Sequence, residues 1–288
     1  MKRRVPKHIF PQGPVLHQRR RRRFTRLLVE PLEDRTMLSV LVVNNGTDAP
    51  VSNELSLREA IALANADAAA GTSDTITFDP SLGSSTINLT QGQLELSGAG
   101  AGTITIDGSS PSTSVTLEAG NGSRVFQIDS GVQAVITNLN IEDGFVAYGP
   151  VTSNNGGGIF NAGKLIVSNA NLSNNYASSG GAIENTGTLT LSNTTLAKNN
   201  VSISGGAIDN SGTLVVNDST FTSNTAPSGA GISNDGTLTI VNSIFSGNSA
   251  ANSGGAINNF NSGTLTINGG FFTGNHATNA GAIDNTSS

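Results

Sequence analysis

An isoleucine returns at a nearly constant interval through the second half of the chain, and that interval limits the fold more than any other feature. Its positions are Ile159, Ile183, Ile208, Ile232, Ile257 and Ile283, at steps of 24, 25, 24, 25 and 26 residues. Two residues after each stands an asparagine: Asn161, Asn185, Asn210, Asn234, Asn259 and Asn285. A Gly-Thr-Leu-Thr-like run then supplies Leu165, Leu189, Leu214, Leu238 and Leu265. Next comes an apolar residue three before a second asparagine: Leu172/Asn175, Leu196/Asn199, Phe221/Asn224, Phe245/Asn248 and Phe272/Asn275. Self-similarity at a fixed period of this size marks a repeat architecture.

Within Thr188-Leu-Thr-Leu191, polar and apolar residues alternate, the signature of a strand with one buried face. No helical stripe recurs in the repeats, and Gly and Asn punctuate each run. A period of 24–25 residues accommodates three short strands and three turns, one coil of a parallel β-helix. The expected fold is therefore all-β: a single right-handed parallel β-helix with Ile183, Leu189, Leu191 and Leu196 pointing inward. The Asn161–Asn285 column is expected to stack amide on amide at the turns, a structural role.

The GGAI-like opening (Gly180-Gly-Ala-Ile183), paired with Phe221-Thr-Ser-Asn224, Phe245-Ser-Gly-Asn248 and Phe272-Thr-Gly-Asn275, resembles the repeat of the chlamydial polymorphic membrane proteins. It is also similar to the wider right-handed β-helix repeat proteins of bacterial surfaces. Leu172 and Leu196 replace the Phe in two coils. The resemblance covers residues 135–288 and implies surface display and adhesion, with no defined reaction.

Charge is unevenly distributed. Residues 1–35 hold eleven Lys or Arg against three acids, whereas the rest of the chain holds four basic residues (Arg58, Arg124, Lys164, Lys198) against seventeen acids. The basic segment 1–39 reads as a disordered, processed leader, and no nucleic-acid partner is expected. It lacks the apolar core of an ordinary signal peptide, and no run reaches transmembrane length. Arg19–Arg23 followed by Val29-Glu-Pro-Leu-Glu-Asp-Arg35 and Met37-Leu38 resembles the short LEPR motif of planctomycete extracytoplasmic proteins, which implies export. Cysteine is absent, so neither disulfides nor a thiolate site are available.

Residues 40–72 read as an N-terminal cap: a strand at Val40–Val43, then a helix over 56–68 opened by a capping box of Ser56 and Glu59. Leu55-Ser-Leu-Arg-Glu-Ala60 resembles the segment named for Cys-Ser-Leu-Arg-Glu-Ala that opens many bacterial β-helix surface proteins, with Leu55 at the Cys position. Arg58 and Glu59 are assigned to helix-terminus electrostatics. Residues 73–288 form the β-helix, regular from about 135, with an insertion at 142–158 carrying Phe145, Tyr148 and Pro150. The C-terminal coil reads as incomplete, as in a fragment, with an open edge suited to self-association.

The outward position between each Ile and Asn reads Phe160, Glu184, Asp209, Ser233, Asn258 and Asp284. Glu184 and Asp209 fall in adjacent coils and are the candidates for a Ca²⁺ ion. The favoured expectation for them is a solvated acidic face with no basic residue in register and no cofactor. No residue is assigned a catalytic role. The functional expectation is a cell-surface, outer-membrane-associated or secreted protein, structural or adhesive, with a surface, matrix or carbohydrate partner. The alternative is a polysaccharide-acting enzyme of the pectin-lyase-like type. A third reading comes from the outward threonines Thr188/Thr213/Thr237/Thr264 and Thr190/Thr239/Thr266, broken by Val215, which resemble the Thr grids of ice-binding solenoids.

Overall fold

A computed structural model describes residues 39–109, 114–120, 122–146 and 154–286. The basic leader and its LEPR-like motif lie outside the described residues, as do Tyr148 and Pro150. Every strand pairing in the three sheets runs parallel, and the strands stack coil upon coil as a parallel β-helix. A sheet of fifteen strands forms the long wall. A sheet of eight carries the Ile-x-Asn segments, and a sheet of five forms a short wall beside it.

One coil shows how the sequence produces this arrangement. Ile183–Asn185 is followed by Thr188–Ser192, Thr195–Ala197 and Asn200–Ser204. The coil thus has four strand segments where the sequence suggested three. The fourth escapes sequence reading because it buries so little: the matching segments place only Val201, Ala226 and Ala250 in a small satellite cluster, joined there by Ala230. Its backbone still pairs in parallel with the neighbouring coils, with a register shift partway along each strand.

Corners explain the Gly and Asn content. Asn169, Asn193, Asp218 and Asn242 share one corner and have φ between +48° and +50°. Asn and Asp tolerate this left-handed region better than other side chains. At a second corner only glycine fits: Gly205 has φ +68°, and a Cβ there would lie 2.4 Å from the Ile208 carbonyl oxygen.

The core is continuous from the cap to the last coils. Ile183, Leu189, Leu191 and Leu196 are fully buried, with their counterparts directly above and below. Phe221, Phe245 and Phe272 stack at 4.5 and 5.0 Å, with ring planes within 8° of parallel. The cap helix, Leu57–Ala69, places Leu57, Ala60, Ile61, Ala64 and Ala68 on the first coils. No helix among the described residues is long and apolar enough to cross a membrane.

Candidate functional site

The outward column of the Ile-x-Asn sheet carries the chemistry. Strand register places Glu95, Gln127, Phe160, Glu184, Asp209, Ser233, Asn258 and Asp284 in one line. Consecutive rungs are about 4.8 Å apart, as in any sheet. Each rung lies just past the glycine corner, so the column faces the end of the short wall. There Ser179, Ser204, Ser228 and Ser253 form a parallel hydroxyl column. The Ser204 hydroxyl donates to Asp209 Oδ2 at 2.6 Å and lies 3.2 Å from Ser179 Oγ.

Glu184 departs from the solvated acidic face expected from sequence. It is only 8% exposed, because the glycine corner folds the short wall over it. Burial, with the Asp209 charge adding to it, pushes the Glu184 carboxyl up to about 8; the Asn155 side chain and the Arg124 charge pull the other way. Glu184 Oε2 makes no hydrogen bond. Burial also raises Asp209, opposed by the hydroxyls of Ser204, Ser179 and Ser233. Ser233 is fully buried; its hydroxyl lies close enough to favour ionised Asp209, yet makes no hydrogen bond of ordinary geometry.

The column itself carries no basic residue, as expected, but Arg124 reaches it from the glycine corner: buried to 2% exposure, it lies 5.1 Å above the Phe160 ring and acts electrostatically on Glu184. It donates to Gln127 Oε1 at 3.2 Å. Counting back from the pairing of Phe126 with Ile159 places Ser123-Arg124 where the next coil has Gly156-Gly157. An arginine in a glycine column was the available signal, and it is visible only once the irregular early coils are in register.

The Asn column points inward and forms a continuous chain. Asn161, Asn185, Asn210, Asn234 and Asn259 each donate through Nδ2 to the next Oδ1 at 2.6–2.7 Å, ending on Asn285. A second ladder runs Asn175, Asn199, Asn224, Asn248, Asn275 at 2.9–3.1 Å, and here the backbone N–H also donates to the next Oδ1. Both ladders satisfy buried corners.

At the cap, Ser56 and Glu59 make the reciprocal capping box, which lowers the Glu59 carboxyl. Arg58 does something the sequence did not indicate. It holds Asp48 through two bonds of 2.8 and 3.1 Å and donates to the carbonyls of Gln93 and Gly92. Beside it is a cleft of about 550 Å³ lined by Asn65, Gln93, Glu95, Arg124 and Val146 among others. Phe145, at the start of the segment read as an insertion, stacks on Tyr176 of the short wall at 5.1 Å. The Thr columns lie in register on the outer face of the long wall, preceded by Lys164 and Ile166.

Residues 242–259, about three quarters of a coil, match the model of the Chlamydia polymorphic membrane protein repeat. No curated protein and no solved structure matches the chain. The chain is a β-helix repeat protein with part of one coil similar to that repeat.

Proposed function

We propose that this chain is displayed at the cell surface or secreted, where it acts as a structural or adhesive element. Its outer wall binds a carbohydrate, matrix or host-cell surface. The observation that supports this most directly is the regular outer face of the long wall. Thr188, Thr213, Thr237 and Thr264 form one in-register column, and Thr190, Val215, Thr239 and Thr266 form the next. Such a face is flat, repeats about every 4.8 Å and carries short β-branched side chains with little rotamer freedom to lose on contact. The matched repeat is named for membrane proteins, which agrees with display. Protease treatment of intact producing cells should remove the chain from immunoblots. Beads coated with it should bind cells or matrix, and less so after Thr190→Glu/Thr239→Glu. Protection until the membranes are opened would refute display, and unchanged bead binding would refute the role of this face.

One observation favours a second reading, polysaccharide cleavage: a carboxyl held neutral near pH 7 beside another carboxyl is the pairing glycoside hydrolysis uses. Their burial restricts access of a sugar chain, so the adhesive reading stands first. Incubation with polygalacturonate and Ca²⁺ should release no new ends; turnover abolished by Asp209→Ala would reverse the order. Ice binding stands last, because Lys164, Ile166 and Val215 interrupt the Thr grid.

A further inference from the structure

We propose that Glu184 and Asp209, with the Ser233 hydroxyl, form a binding site for one Ca²⁺-type divalent cation at the glycine corner. Four observations converge there. Strand register stacks the two carboxylates on consecutive rungs, so their side chains lie side by side. Both are largely enclosed, and Glu184 Oε2 has no hydrogen-bond partner. The next rung supplies a fully buried hydroxyl, Ser233 Oγ, that leans on Asp209 and makes no bond of ordinary geometry. The donors are all oxygen, which suits a hard cation.

Charge balance indicates the valence. Asp235 acts on Asp209 as a third negative charge, and Arg124 acts on Glu184 as one positive charge. With every group ionised, three negative charges face one positive charge, and a divalent cation brings the corner to neutrality. Among the described residues no three acidic or histidine side chains converge on one point. The site thus rests on two carboxylates and neutral oxygens, which places the dissociation constant at about 10⁻⁴–10⁻³ M, the range of extracellular Ca²⁺ modules.

Calorimetric titration of CaCl₂ into the chelator-treated full chain tests this. At pH 7 one ion should bind per chain. Glu184→Gln should weaken binding at least about tenfold, and its near-isosteric amide should leave the fold in place. Asp209→Asn should weaken binding similarly, and Asp284→Asn, on the same column but distant, should change nothing. No heat up to about 10 mM Ca²⁺, ten times the weakest expected constant, would overturn the proposal. So would equal binding by Glu184→Gln.

Discussion

Asn185 Nδ2 donates to Asn210 Oδ1 at 2.7 Å, and Asn210 Nδ2 donates in turn to Asn234 Oδ1 at the same distance. Each amide in the chain is donor to one coil and acceptor from the other, so removing one weakens the donor on one side and orphans a buried oxygen on the other. Asn210→Ala leaves Asn185 Nδ2 with only its longer bonds to the Thr213 and Gly187 carbonyls and strands Asn234 Oδ1, at about 1–3 kcal/mol for a buried group left unpaired. The melting temperature followed by circular dichroism should fall accordingly. Asn193→Gly, which keeps the left-handed corner at φ +50° unstrained and removes only the exposed bond to Asn169, should cost less than about 0.5 kcal/mol. Equal losses in the two variants would show that the ladder carries no special weight.

The phenylalanine stack makes a second prediction. Phe245 lies between Phe221 and Phe272, ring on ring, and is fully buried. Phe245→Ala opens a cavity that the two flanking rings and the ladder prevent from collapsing, at about 3–5 kcal/mol. Phe245→Leu, which restores the residue type found at Leu172 and Leu196, should cost about 1–1.5 kcal/mol. Chemical denaturation gives both figures, and a Leu variant as damaged as the Ala variant would argue against a shared core column.

Glu184 makes stability depend on pH in a defined direction. Its carboxyl rises from 4.5 to about 8 on folding, so the folded chain holds a proton that the unfolded chain has released. Stability is therefore full below about pH 4.5 and declines as pH rises toward 8. Asp209 is raised by burial as well and acts with the same sign. In chelator-containing buffer, Glu184→Gln should flatten the decline between pH 5 and 8 and leave the chain more stable than the wild type at pH 8, by up to a few kcal/mol. A wild-type profile that climbs through that window would contradict the burial of this carboxyl.

The coils were legible because Ile183, Leu189, Leu191 and Leu196 repeat the same alternation that the ladder requires, and register follows from period. The parallel β-helix and its short helix were therefore readable from residue order alone. What was not readable depended on distance across the turn. Glu184 looks outward by strand parity, but parity is silent about the Gly180 corner that folds Ser179 over it. Arg124 sits in a coil whose spacing is irregular, so its alignment with a glycine column could not be counted from sequence. The fourth strand of each coil contributes a single small apolar residue, too little for any pattern to register. Periodicity reveals what is repeated, and the candidate site lies where the repeat is broken.

Arg58 provides the last prediction. Its guanidinium closes a fork on Asp48 and reaches the carbonyls of Gly92 and Gln93, joining the cap helix to the loop before the strand Leu94–Leu96. Asp48 is almost wholly enclosed and also accepts the backbone N–H groups of Thr90 and Gln91, at 2.7 and 2.8 Å. Arg58→Ala leaves that carboxylate buried without its cation, at a cost of about 3 kcal/mol, the low end for breaking a buried pair because Arg58 itself is partly solvated. Arg58→Lys keeps the charge but cannot reproduce the two-pronged bond or both carbonyl contacts, so it should recover less than half of the loss. A solenoid transmits such damage only to its neighbours. Hydrogen exchange should therefore quicken in Leu57–Ala69 and in the strands up to Leu96, while amides between Thr188 and Asn259 keep their protection. Uniform loss of protection along the whole chain would mean that the cap and the distant coils unfold as one unit. Unchanged exchange in the cap would mean that Arg58 is not the clamp its contacts describe.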